Sequence, residues 1–224
     1  MFKTKELALI IVISLILAFS ITLVETQQIF LWTLLSVFLV IMVNLIAKKI
    51  TAYNLDSEIE AKLWQLERWG LSGIILTGGI KNPNKKFRTP IPVGAIFPIV
   101  SKLIFLSLSN LVWMASLVFD VKTKVYKAAK RHNPIYSFSE ITDYQIGLIA
   151  ASGIIANLVF AVIGYLIGLP PQMNFAQLSI FYAFWNVLPL SNLDGNRIYW
   201  GNNLMWYTIA AITLMAFGYA LFVI

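Results

Sequence analysis

The sequence predicts an all-α polytopic membrane protein: one domain of spanning helices with a broken, re-entrant element and a possible small β-hairpin at the membrane face. Three observations lead there. Of the 224 residues, 59% are hydrophobic and only 12% charged, too few charges to cover a soluble domain of this length. Mean hydropathy is +0.78. Several stretches also reach the roughly 20 apolar residues that one helical crossing of a bilayer requires.

Residues 7–24 carry no charge before Glu25 and are expected to form an uncleaved first span. Lys3 and Lys5 precede them as in a signal peptide, but the apolar run is too long and no polar mature domain follows. Residues 29–47 form a second span, closed by Lys48 and Lys49. Residues 145–169 and 204–224 are similarly clean, and the aromatic-rich run 175–190 is shorter. Between the spans lie two basic segments, 48–90 and 120–144, each holding at least five Lys or Arg residues. The positive-inside rule places both, and the N-terminus, in the cytoplasm. Residues 91–119 must then enter and leave on one side, as a re-entrant or double-pass element. Pro90, Pro92 and Pro98 break its start, and Lys102 dilutes its middle.

Within 48–90, Ile59-Glu60-Ala61-Lys62-Leu63 alternates at period two, and a second apolar run, Leu71–Leu76, follows Gly70. The pattern fits a β-hairpin. An amphipathic helix capped at Asn54 or Asp56 fits almost as well. The net charge of +7 suits cytoplasmic flanks that set orientation and touch anionic lipid, and no nucleic-acid partner is expected. With no cysteine, disulfides and thiolate metal sites are excluded.

The chemically informative stretch is Asn186-Val187-Leu188-Pro189-Leu190-Ser191-Asn192-Leu193-Asp194-Gly195, preceded by the small-residue helix Ala151-Ser152-Gly153-Ile154-Ile155-Ala156-Asn157. Small residues let helices approach closely, and Asn157 can hydrogen-bond across them. Asn186 and Pro189 open the end of a short helix. A carboxylate at membrane depth, Asp194, marks a site by default. Read blandly, Asp194-Gly195 is an ordinary turn signal.

Together these motifs resemble the Asn-x-x-Pro…Leu-Asp-Gly and Ala-Gly-Pro-x-x-Asn signatures of the site-2 protease family, intramembrane zinc metalloproteases, with isoleucine at the usual proline. The resemblance covers most of the chain and implies that Asp194 matches the third zinc ligand. The family also carries His-Glu-x-x-His on an early span, where two histidines bind zinc and the glutamate acts as general base. Counting back from Ala47-Lys48-Lys49, similar to a helix end in archaeal members, places that motif on Leu39–Val43. Leu39 and Val43 then replace the histidines, and Val40 replaces the glutamate. No other register helps, because residues 26–55 contain neither histidine nor acid. The sole histidine, His132, lies in the basic segment Lys130-Arg131-His132-Asn133 and is expected to be solvated.

The resemblance therefore implies an inactive member: no catalytic residue, no metal and no cofactor, with Asn157, Asn186, Pro189, Asn192, Asp194 and Gly195 lining a groove for a client or partner transmembrane helix. Two alternatives remain. An active metalloprotease would hold zinc through non-standard ligands, His132 and Asp194 with Glu140 or Asp143 as a third. A small transporter or lipid-handling protein would use Lys102 and Asp194, in one variant as an ion pair. The expected location is an integral, multi-pass position in a prokaryotic, archaeal-type cell membrane.

Overall fold

The computed structural model describes residues 2–23, 26–66, 90–104, 112–123, 141–170 and 173–222. Among them are seven helices and two strands. In chain order these are α1 (Thr4–Ile21), α2 (Gln27–Asn54), β1 (Ser57–Leu63), α3 (Val93–Ile104), β2 (Leu117–Thr123), α4 (Asp143–Ile167), α5 (Phe175–Val187), α6 (Asp194–Gly201) and α7 (Asn203–Phe222). Four of them, α1, α2, α4 and α7, are long and apolar enough to cross a membrane.

The long helices form because the chain offers uninterrupted apolar helix formers between identifiable stops. Thr142 caps α4, accepting the Gln145 N–H while the Gln145 side chain accepts the Thr142 N–H. Gly168, at φ +69°, ends the same helix in the left-handed conformation that a residue without Cβ adopts freely. Hydroxyls buried inside the bundle, Ser14, Ser36 and Thr213, donate to carbonyls one turn earlier, so none enters the apolar core unbonded.

Cross-contacts fix how the helices run. Glu6, near the start of α1, meets Lys49, near the end of α2, and the Ala61 N–H of β1. Phe175 at the start of α5 packs against Gly164 near the end of α4. The Trp206 indole N–H in α7 donates to the Val187 carbonyl that ends α5. Counting α5, the successive helices α1, α2, α4, α5 and α7 therefore alternate in direction, so that α4 and α7 run parallel, and both strands lie at the end of the bundle where α1 begins.

The polar segment after α2 is a strand, but its partner is not the local hairpin expected. β1 pairs antiparallel with the distant β2, from Ser57 opposite Thr123 to Leu63 opposite Leu117. The alternation was legible because Ser57, Ile59 and Ala61 face inward while Glu58 and Lys62 face out. It excludes the alternative helix over Ser57–Leu63. The run Leu71–Leu76 lies outside the described residues.

The segment expected to enter and leave on one side is a helix with an extended return. Leu66 and Ile91 exchange backbone hydrogen bonds beside the sheet. From there α3 runs 12 residues, about 18 Å, short of a ~30 Å hydrocarbon core. Lys102, near its end, donates to the Ile21 carbonyl at the far end of α1. The chain then comes back alongside: the Trp113 N–H bonds the Ser101 hydroxyl, and Ser116 packs on Gly94 so tightly that a Cβ there would overlap its carbonyl.

Candidate functional site

The site is built where α2, α4, α5 and α6 meet beneath the sheet. On α2 the buried face repeats at helical spacing through Val37, Val40, Ile41, Asn44, Leu45 and Lys48. Lys48, only 2% exposed, extends its ammonium to 2.5 Å from Asp194 Oδ2. Asp194, the first residue of α6, is fully buried. Two cysteine-free helices thus share a sealed ion pair whose partners are 146 residues apart in sequence.

Glycines make the pair possible. A Cβ on Gly153 of α4 would stand 2.5 Å from Lys48 Cε and 2.8 Å from Asn44 Nδ2, so the bare backbone there is what admits both side chains. Gly195 packs on the Val187 carbonyl with no room for a Cβ, which brings α6 tight against the end of α5. The corner between them turns through Ser191, at φ +47°.

Asn44 stands beside Lys48 at Gly153, and several buried polar atoms of these helices find no partner. Both polar atoms of Asn44 and of Asn157, Asn186 Oδ1 and Asp194 Oδ1 are buried without a hydrogen bond among the described residues. Asn186 Nδ2 donates to the Tyr182 carbonyl. The Ser179 hydroxyl uses the Asn157 backbone carbonyl, leaving its side chain unengaged. Leaving a buried amide unsatisfied costs about 1–3 kcal/mol, so these atoms carry unsatisfied polarity within an otherwise apolar bundle.

Phe119 of β2 covers the ion pair. Its ring lies 5.1 Å from the Lys48 ammonium and 4.1 Å from the Arg197 guanidinium. Burial pushes the Arg197 guanidinium below its ordinary range, while Asp194 and Asp120 pull it back up. A second, separate polar knot clasps the sheet to α1 and α2. Buried Glu6 accepts from Lys49 Nζ and from the backbone N–H groups of Lys3 and Ala61. Exposed Glu60 bridges Lys122 and Lys3, and their hydrogen bonds hold its carboxyl at about 2, far below the usual range.

Of the residues expected to line a groove, Asn157, Asn186, Asp194 and Gly195 are buried at this junction. Pro189 and Asn192 are exposed in the α5–α6 turn, because the chain must come outside to reverse direction. The expected replacement positions sit elsewhere on α2: Val40 is core, but Leu39 is 38% exposed on the outer face and cannot look at Asp194. Lys102 does not pair with Asp194; its ammonium lies at the Ile21 carbonyl. Sequence reasoning missed Asn44 and Lys48, treating Lys48 as a helix-flanking charge. Their four-residue spacing on the face shared with Val37 and Val40 was the available signal. His132 and Glu140 lie outside the described residues.

The donor set does not fit a zinc ion. Zinc takes deprotonated Cys, neutral His or carboxylate, and here Asp194 faces an ammonium while Asn44 offers a carboxamide. Among the described residues no three His, Cys, Asp or Glu side chains converge. Models of known protein families, characterised proteins and solved structures all yield no match to this chain.

Proposed function

We propose that this chain is a multi-pass membrane protein, with its N-terminus and sheet at the cytoplasmic face, built like a site-2 protease and devoid of its hydrolytic chemistry. Its function is to hold a transmembrane segment of a client or partner protein. The observation that carries this reading is the Lys48–Asp194 pair. Asn44 and Lys48 stand four residues apart on the buried face of α2, the spacing of the two histidines in His-Glu-x-x-His. In that register Leu45 takes the glutamate's place. Lys48 supplies as a tethered ammonium the positive charge that a metal would supply, and Asp194, matching the family's third ligand, is committed to it. Among the described residues, no three His, Cys, Asp or Glu side chains converge at the pair.

The unsatisfied amides support the binding half of the proposal. Asn44 and Asn157 each present a free donor and a free acceptor, the complement of a peptide group exposed where an inserted helix unwinds. Polar groups retained inside an apolar bundle at a cost in stability are a mark of function. Trp185 of α5 packs on Trp113, which stacks on Trp64, and this aromatic cluster offers an apolar wall.

The test is photocrosslinking in membranes of the source cells, with benzoylphenylalanine at Trp185 in the full chain. The expected product is an adduct to an intact membrane polypeptide, lost when Asn157→Leu and Asn186→Leu are combined. Adducts to lipid alone would overturn client binding. Adducts to a truncated polypeptide whose formation stops with a chelator would favour the active metalloprotease.

A further inference from the structure

The parallel helices α4 and α7 touch near both of their ends and part in between. On the sheet side, Met205 at the start of α7 closes on the bare backbone of Gly147, where a Cβ would stand 3.4 Å from Met205 Cε. At the other end the rings of Tyr165 and Tyr219 meet edge to face, with their hydroxyls 3.4 Å apart. From Gly147 to Tyr165, α4 rises about 27 Å. That is close to the ~30 Å depth of a hydrocarbon core, so the two contacts stand near its boundaries. Between them lies an apolar groove of about 620 Å³, reached also by Thr51 of α2. Ala151 and Ile209 on its lining are buried, whereas Ile155, Val159 and Ile212 are about half exposed. The groove therefore opens sideways, away from the bundle.

Its shape and chemistry say what covers it. In a bilayer a sideways opening faces lipid and other spanning helices, not water. A helix measures about 10–12 Å across with its side chains, and two helices joined at both boundaries cannot part by that much between them. A spanning helix of a partner, or of a second copy of this chain, is excluded on that ground. A single hydrocarbon chain, one methylene wide, fits. From Leu148 to Val159 the groove follows α4 for about 16 Å, close to one leaflet of that core. No charged side chain lines it. The Ser152 and Thr208 hydroxyls on its walls donate to the carbonyls of Ile149 and Met205 in their own helices, which leaves neither for a headgroup.

We infer that the groove between α4 and α7 holds one acyl chain of a membrane lipid from the leaflet on the sheet side, selected by the chain and indifferent to the headgroup. The chain supplies dispersion contacts that the groove walls lack on their open side. It also completes the packing of α7, the least buried of the four long spans. The site rests on the bilayer placement of the helices and goes beyond client capture, because a groove that excludes a helix is not where a client segment docks.

Thermal unfolding of the delipidated full chain, in a steroid-based detergent without flexible chains, tests the site. The probes are dioleoyl phosphatidylglycerol, dioleoyl phosphatidylcholine and dihexanoyl phosphatidylcholine. A ligand that binds only the folded chain raises the unfolding midpoint. The two dioleoyl lipids should raise it equally and saturably, by several degrees, with one lipid per chain retained in native mass spectrometry. The dihexanoyl lipid should leave it unchanged. Ser152→Phe, which fills the groove from α4, should abolish the response. If that variant fails to fold, Thr208→Trp fills the groove from α7 and should do the same. Leu214→Trp, at an exposed position of α7 outside the groove, should keep the response, which separates the site from the general lipid coat. An equal rise with the dihexanoyl lipid, a full response in a filled variant, or loss of the response in Leu214→Trp would overturn the site. A larger rise for one dioleoyl headgroup than for the other would overturn the indifference to headgroup. Crosslinking at Trp185 reads client capture separately, so failure of one does not carry failure of the other.

Discussion

Lys48 is the residue on which the account turns, and its chemistry makes sharp demands. Removing one partner of a buried ion pair leaves an uncompensated charge and costs about 3–5 kcal/mol, whereas replacing both with apolar side chains is often neutral or stabilising. Lys48→Met alone and Asp194→Leu alone should each lower the unfolding midpoint strongly, and the double variant should recover most of the loss. Equal, additive losses would mean that the two side chains do not depend on each other. Asn44 should behave in the opposite sense. Because neither of its polar atoms is bonded, Asn44→Leu should stabilise the chain by about 1–3 kcal/mol while reducing crosslinking of the client. A stability gain without functional loss would make Asn44 a mere defect, and a stability loss would show that its amide is satisfied in the folded protein.

At the level of elements, the sheet is a clasp that covers the ion pair. Glu60 lies opposite Asp120 across the strands, an unfavourable like-charge pair. Diagonal contacts from Lys122 to Glu60 and from Lys62 to Asp120 offset it, and Lys3 ties Glu60 to the start of α1. The Glu60 carboxyl lies at about 2 in the folded chain against an ordinary 4.5. A depressed folded pKa means the clasp contributes in full above about pH 4.5 and is lost as pH falls from there toward 2. Amide protection factors in β1, corrected for intrinsic exchange, should therefore fall over that window, and Glu60→Gln should reduce that pH dependence, leaving the part set by Glu6 at Ala61. An unchanged profile in Glu60→Gln would place the titration elsewhere.

The elements also show what a sequence can and cannot carry. The long helices were legible because hydrophobic length is a local property, whereas the Thr142 and Gly168 caps of α4 were not read. The two-residue period of β1 was legible as well. Its pairing with β2 was not, since a strand's pattern names its buried face and not its partner. The same limit hid Lys48: a lysine at the end of an apolar run reads as a flank until the acid 146 residues away closes on it. Asp194 was legible as a site because a carboxylate in apolar surroundings has no cheap alternative.

At the scale of the whole molecule, the helices alternate and the sheet, Lys3 and Arg197 gather at one end. The chain contains no cysteine, so single-cysteine variants report topology without background. Cysteine at Glu58, beside the sheet, should react with a membrane-impermeant maleimide only when the cytoplasmic face is opened. Cysteine at Gln28, at the other end, should react in intact cells. The reverse pattern would invert the orientation, and labelling of both in intact cells would contradict a sealed bilayer placement of the bundle.

If a lysine stands where a site-2 protease would hold zinc, as proposed, elemental analysis of the purified full chain reads it directly. The wild-type protein and Asp194→Ala should both contain zinc at background. One zinc per wild-type chain, lost in Asp194→Ala, would show that Asp194 ligates a metal and that Lys48 does not occupy its place.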